Sequence, residues 1–163
     1  MKNKNIVKLF FISMLFIIVC KVDVEKKYVE ENKKIDLLFS SVSTLKNDSK
    51  HDNFKKYQDK INQLKESLKD VGDSELKEKL LKLQSLFKDK LAAKLTALKL
   101  AKQTIEGISD KDKEKETIWK ESKLVGVTVP LSGSSAAGKG QEMANNATSK
   151  IDKIIEFLEE GTN

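Results

Sequence analysis

An apolar stripe at helical spacing runs through residues 74–106. Its members recur every three or four positions, as on one face of an α-helix: they are Leu76, Leu80, Leu83, Phe87, Leu91, Leu95, Leu98 and Ile105. At 1.5 Å per residue this helix would be about 50 Å long, and Asp73 or Ser74 should cap it. Further apolar residues widen the face, so a bundle interior suits it better than a two-stranded coil: these are Leu81, Leu86, Ala92, Ala93, Ala97, Leu100 and Ala101.

Shorter stripes of the same period flank this helix. One contains Ile35, Leu38, Phe39, Val42 and Leu45, and others cover 54–71, about 109–123 and about 141–158. The chain has only 7 Gly and 1 Pro in 163 residues, a composition that favours long helices in one domain. We predict an all-α fold, an elongated helical bundle of four to five helices with one long central helix and one irregular Gly-rich loop at 132–140.

The N-terminus has the pattern of an export signal. Three lysines come first, at Lys2, Lys4 and Lys8. The uncharged run Leu9–Val19 then has the length of a signal-peptide core and is short for a bilayer span, although an uncleaved anchor is the alternative. Cys20 is the single cysteine and therefore has no intrachain disulfide partner. It follows the apolar run where a bacterial lipoprotein carries its acyl chains, although Val19 is bulky for the residue before such a cysteine.

These features predict the organisation of the chain. We expect a signal peptide at 1–19, a lipidated Cys20 with a charged tether at 20–34, and a helical domain at 35–163. A protein of this design would be held by its lipid anchor in the bacterial outer membrane, exposed on the cell surface.

The charge of the chain argues against a nucleic-acid partner. All 31 basic residues are Lys, so arginine, the usual bidentate reader of guanine and clamp for phosphate, is missing. Cleavage after residue 19 would remove three lysines and leave 28 against 25 acidic residues, a charge of about +3.

Three patterns that resemble reactive or ligand-binding sites are incomplete. Gly133–Lys139 matches the start of a phosphate-binding loop, but Gly140 stands where Ser or Thr should reach Mg²⁺. The spacing of a calcium loop has Lys115 where Gly is needed, and its acidic members are Asp110, Asp112, Glu114 and Glu121. His51 is the single histidine, which is too few ligands for zinc. We predict no cofactor, no metal, no catalytic residues and no enzymatic activity.

Several continuous sequence segments distinguish the chain from a generic helical bundle. They are Asn3–Ile6, Lys8–Phe11, Met14–Ile17, Asp59–Asn62, Glu75–Leu81, Asp89–Leu95, Lys123–Leu131 and Phe157–Asn163. In these segments the chain resembles the Rev surface lipoproteins of Borrelia, and the resemblance extends from its first residue to its last. The resemblance implies an outer-surface lipoprotein that acts as an adhesin and binds host fibronectin.

Other functions stay open beside this one. A surface lipoprotein could bind another host ligand, such as laminin or a serum regulator, and a nucleotide-binding enzyme is a remote third. The ligand-binding candidates are Val125, Val127 and Val129 in the 125–140 loop, because their alternation suggests an extended segment that could pair with the edge of a partner sheet. We expect a monomer whose membrane contact is the lipid anchor.

Overall fold

The computed structural model describes residues 28–130 and 139–160. These residues form helices and no strands: α1 (28–43), α2 (His51–Ser67), α3 (Ser74–Gly107), α4 (Lys115–Leu124) and α5 (Gly140–Glu160). The predicted all-α fold with one long central helix is confirmed. The signal peptide at 1–19, Cys20, the tether residues up to 27 and the loop residues 131–138 lie outside the described residues. None of the described helices combines the length and the apolar composition that a membrane span requires.

The central helix α3 contacts α2, α4 and α5. Its buried residues follow the predicted stripe, with Lys94 where Leu95 was expected: they are Leu76, Leu80, Leu83, Phe87, Leu91, Lys94, Leu98, Ala101 and Ile105. The widened face is only partly correct. Leu81 and Leu100 are exposed, as are Ala92 and Ala93, because each step of one residue turns a side chain by about 100° around the helix and away from the stripe.

The first helix extends into the segment whose charge suggested a tether. Residues 28–34 are helical, and Glu31 is buried one turn before Ile35. Asn32 accepts a 2.8 Å hydrogen bond from Lys79 of α3, so this turn of α1 is packed on the bundle. An amphipathic helix can carry many charges on its solvent face, and for that reason charge alone does not mark where α1 begins. Phe39 departs from the predicted stripe and is 42% exposed.

The connection from α2 to α3 is short and contributes two apolar side chains to the core. Asp73 caps α3 as predicted, since its carboxylate accepts hydrogen bonds from the backbone N–H groups of Glu75 at 2.9 Å and Leu76 at 3.1 Å. The helix α2 ends at Ser67, earlier than its apolar stripe suggested. Leu68 and Val71 are nevertheless buried in the turn that follows, so the stripe correctly predicted burial but not helix beyond residue 67.

The last helix lies along α3 and begins beside the start of α4. Two ion pairs join α5 to α3, Lys102–Asp152 at 2.7 Å and Lys99–Glu159 at 2.9 Å. The backbone N–H of Gly140 donates a 2.6 Å hydrogen bond to Asp112. A β-carbon on this glycine would overlap the backbone carbonyl of the residue before Asp112, so only glycine allows the close approach.

Candidate binding surface

A buried lysine joins two surface segments of the bundle. Lys94 comes from the inner face of α3 and is 1% exposed. Its ammonium group donates hydrogen bonds to the backbone carbonyl oxygens of Asn47, of Ser49 at 3.1 Å and of Val125 at 2.8 Å. An ammonium group has three N–H donors, and here each has an acceptor. One side chain therefore ties the turn between α1 and α2 to the segment that follows α4.

The ammonium group of Lys94 keeps its proton at neutral pH. Burial lowers the pKa of Lys94 from 10.5 to about 8, while the charge of Asp48 raises it. Burying a charged group is unfavourable unless hydrogen bonds replace its hydration. The three carbonyl oxygens replace part of that hydration. Because the pKa is still lowered, the buried charge remains less favourable here than in water, and it is the hydrogen bonds that hold this arrangement of the backbone.

The segment 125–130 begins with a turn at Val125 and Gly126, and its three valines face the core. Val125, Val127 and Val129 are each at most 4% exposed, whereas the residues between them are exposed. The alternation that the sequence suggested is present, but the segment pairs with no strand in the described part of the chain. Instead, the backbone N–H of Val127 donates a 2.9 Å hydrogen bond to the backbone carbonyl oxygen of Ser122. The valine side chains are thus core residues here, and their contact with a ligand stays a prediction that would require the segment to open.

Gly126 allows this segment to approach the turn between α1 and α2. Its φ angle is +73°, in the left-handed region that side chains disfavour. A β-carbon at this position would also lie 2.5 Å from the carbonyl oxygen of Asp48. With Lys94 bonded to both sides, residues 46–50 and 125–130 form one unit, which we call the platform.

A groove at the platform presents an aromatic and an apolar side chain surrounded by charge. Trp119 is half-buried, Leu124 is 63% exposed, and Nζ of Lys123 lies 4.7 Å from the centre of the indole ring. We call this open cavity of about 660 Å³ the Trp119 groove, and its other lining residues are Lys46, Asn47, Asp48, Lys120 and Glu121. Aromatic residues inside a polar rim are typical of protein–protein contacts.

A second groove at the platform is basic, and it contains His51. Its charged lining includes Lys50, Lys150 and Lys153, and Lys150 donates a 2.9 Å hydrogen bond to the carbonyl oxygen of Thr128. The ring of His51 packs edge-on against Phe157 with 5.1 Å between the ring centres. His51 therefore has a packing role at the end of α5.

The acidic residues with calcium-loop spacing do not share a site, and Asp110, Asp112 and Glu114 each have a different partner. Asp110 accepts from the Lys113 ammonium group at 2.8 Å, which holds the pKa of its carboxyl below the usual value. Asp112 instead bonds to Gly140. Within residues 28–130 and 139–160, no three His, Cys, Asp or Glu side chains are placed to hold a metal ion. Most of the Gly133–Lys139 pattern lies outside the described residues.

The described residues form an all-α domain built on one long helix. A family model described as Borrelia burgdorferi REV protein matches residues 1–160. The chain is also similar to a Rev protein from Borrelia burgdorferi whose crystal structure was determined at 1.80 Å resolution. The two are 62% identical, with a TM-score of 0.79, over 81% of this chain and 97% of that chain. No curated protein matches. The chain therefore belongs to the Borrelia Rev family, as those continuous segments of its sequence indicated.

Proposed function

We propose that this chain is a lipid-anchored protein of the bacterial surface that binds host fibronectin through the Trp119 groove. Membership of the Rev family carries the proposal, because the resemblance to Rev lipoproteins implies such an adhesin. The choice of surface is supported by Trp119 and Leu124, which line one groove beside the platform. Tryptophan is among the residues that contribute most to binding energy in protein interfaces.

The position of the groove suits a protein anchored at its N-terminus. The helix α1 covers residues 28–43, a length of about 24 Å, and an acylated Cys20 would precede its first turn. The Trp119 groove uses residues 46–48, just beyond the other end of α1. A large host glycoprotein could therefore reach the groove on the side of the domain away from the membrane.

The binding test uses the soluble chain Lys21–Asn163, which lacks the lipidated cysteine, with immobilised fibronectin and, in parallel, laminin. We expect saturable fibronectin binding that survives about 0.5 M salt, since such salt screens surface charge over a few ångströms. The double variant Trp119→Ala/Leu124→Ser should bind at least about tenfold more weakly, because it removes the apolar centre of the groove. Binding to laminin alone, or fibronectin binding that vanishes with salt, would contradict the proposal.

A matched control separates the groove from general surface hydrophobicity. Leu100 on α3 is 60% exposed, close to the 63% of Leu124, and does not line the Trp119 groove. The variant Leu100→Ser should bind fibronectin like the unmodified chain, and Leu124→Ser alone should not. Equal losses in both would remove the Trp119 groove as the contact surface. Thermal unfolding of each variant confirms that the bundle is intact.

Lipid anchoring has its own test. In a bacterium that processes lipoproteins, the full chain should incorporate radiolabelled palmitate and sediment with membranes, because several acyl chains hold a protein firmly to a bilayer. The variant Cys20→Ser should lose the label and appear in the soluble fraction. A Cys20→Ser chain that still carries palmitate would exclude Cys20 as the anchor.

A further inference from the structure

The outer side of the α1–α2 pair contains a groove that shares no residue with the Trp119 groove. It has a volume of about 530 Å³, and we call it the α1–α2 groove. Its apolar lining comes from Leu37, Leu38, Tyr57 and Leu64. Leu37 is 69% exposed, so an apolar wall of the groove is open to a ligand.

One end of this groove has a buried carboxylate oxygen without a donor. Glu31 is 7% exposed, and its Oε1 accepts a 3.3 Å hydrogen bond from Lys34. Within the described residues, no donor reaches its Oε2, which is buried. Lys34 also pairs with Glu30 at 3.2 Å, so two carboxylates share one ammonium group and this end keeps an excess of negative charge. A buried oxygen of this kind is costly until a donor reaches it.

The other part of the groove carries unpaired positive charge. Lys56 and Lys60 of α2 line it and are exposed. No acidic side chain of the described residues pairs with either lysine, whereas their neighbour Lys55 pairs with Asp59 at 4.0 Å. The groove is therefore bipolar, because a buried carboxylate and free ammonium groups lie along one apolar trough.

The direction of the helices gives the spacing of these charges. Asn32 contacts Lys79 near the start of α3 and Leu45 contacts Lys90 further along, so α1 and α3 run the same way. The short connection from α2 to α3 makes those two antiparallel, so α2 also runs against α1. Glu31 is then opposite the last turns of α2, with Lys56 about eight residues away, or about 12 Å along the helix.

We propose that the α1–α2 groove binds an amphipathic helical segment of a partner protein, with a basic side chain on Glu31 and a carboxylate two turns away on Lys56 and Lys60. Charge complementarity selects this occupant. A purely anionic ligand would meet the excess charge of Glu30 and Glu31, and a purely cationic one would meet the two lysines. Two turns of helix span about 11 Å, which matches the groove, and apolar residues between the charges would cover Leu37 and Tyr57. The inference does not depend on fibronectin binding.

The probe is a synthetic helical peptide with Lys and Glu seven residues apart and leucines on the same face. A second peptide has Gln in place of that Lys, and a third has Gln in place of that Glu. Affinities are measured by fluorescence anisotropy with the soluble chain Lys21–Asn163 and with its variants Glu31→Gln, Lys56→Gln and Lys55→Gln. Lys55→Gln is the control, because Lys55 does not line the groove.

We expect Glu31→Gln to weaken binding of the Lys-containing peptide about tenfold and to leave the peptide without that Lys unaffected. In the same way, Lys56→Gln should weaken binding of the peptide that contains Glu and leave the peptide without that Glu unaffected. Lys55→Gln should change none of the affinities. This coupling between one charge of the protein and one of the peptide is a result that a merely structural role of Glu31 would not produce. Absence of binding at 1 mM peptide, or equal losses for all three peptides, would overturn the proposal. If Glu31→Gln does not fold, the test rests on the affinities of the unmodified chain and Lys56→Gln for the peptides with and without Glu.

Discussion

Replacing Lys94 by methionine should lower the free energy of unfolding by about 3 kcal/mol. Methionine fills much of the same volume but donates no hydrogen bond, so the carbonyl oxygens of Asn47, Ser49 and Val125 lose the ammonium group that they share. Each buried polar group left without a partner costs about 1–3 kcal/mol. Relief from burying the charge offsets part of that loss. Urea denaturation monitored by circular dichroism measures the difference.

The matched control is Lys90→Met, one turn earlier on α3. Lys90 makes a single 3.0 Å hydrogen bond, to the carbonyl oxygen of Leu45, and is only partly buried. We expect this variant to lose about 1 kcal/mol or less. If Lys94→Met were as stable as Lys90→Met, the ammonium group of Lys94 would not be what holds the platform together.

A comparison of the unmodified chain with the Lys94→Met variant at several pH values should show the titration of Lys94. Its pKa is about 8 in the folded chain, against an ordinary value of 10.5. Between these pH values the unfolded chain binds more protons, so this group makes stability rise with pH, by up to about 1.4 kcal/mol per unit. Below pH 8 the group is protonated in both states and its contribution is constant. All other lysines are common to both proteins, so the stability of the unmodified chain relative to Lys94→Met should increase from pH 8 to 10.5. A flat or falling difference would contradict the assignment.

Replacing Gly126 by alanine should cost about 3 kcal/mol of stability. The φ angle of +73° costs a residue with a side chain about 1–2 kcal/mol. The added methyl group would also press on the carbonyl group of Asp48, which belongs to the backbone and cannot rotate away. Overpacking of this kind typically costs a further 1–3 kcal/mol or so. Thermal and urea unfolding both report the loss, and amide exchange in residues 46–50 should accelerate with it.

Gly72→Ala is the comparison for this substitution. Gly72 lies in the turn before α3, has no positive φ angle, and a β-carbon there would meet nothing within 4 Å. Alanine should leave stability unchanged or raise it by up to about 1 kcal/mol, since it restricts the unfolded chain. Similar losses at Gly126 and Gly72 would mean that the close approach to Asp48 does not decide the outcome.

Periodicity was sufficient to predict most of the fold. The stripe from Leu76 to Ile105 predicted the longest helix almost to its ends, because burial on one face imposes a 3.6-residue period that the sequence displays directly. Helix ends were predicted less well. Apolar burial continues through Leu68 and Val71 after α2 has turned, and a stripe of buried residues does not distinguish a helix from a turn that packs in the same core.

The platform was not predicted, for a physical reason. Lys94 occupies a buried position between Leu91 and Leu98, but lysine is seldom fully buried, and its acceptors are backbone groups that no residue type reveals. The three valines after α4 suggested an extended segment, but Val125 and Gly126 form a turn and the three valines are buried. Whether such a segment pairs with a strand or packs on helices depends on tertiary neighbours, which alternation alone does not specify.

The bonds of Lys94 connect positions 31, 45 and 47 residues apart in the chain. Contacts between such distant positions close large loops and form late in folding. During synthesis, α1, α2 and α3 can therefore associate before Val125 is available, but the platform forms only after the segment that follows α4 has been made. A chain truncated before Val125 would retain helices and lack the platform, so this surface exists only on molecules that have finished folding.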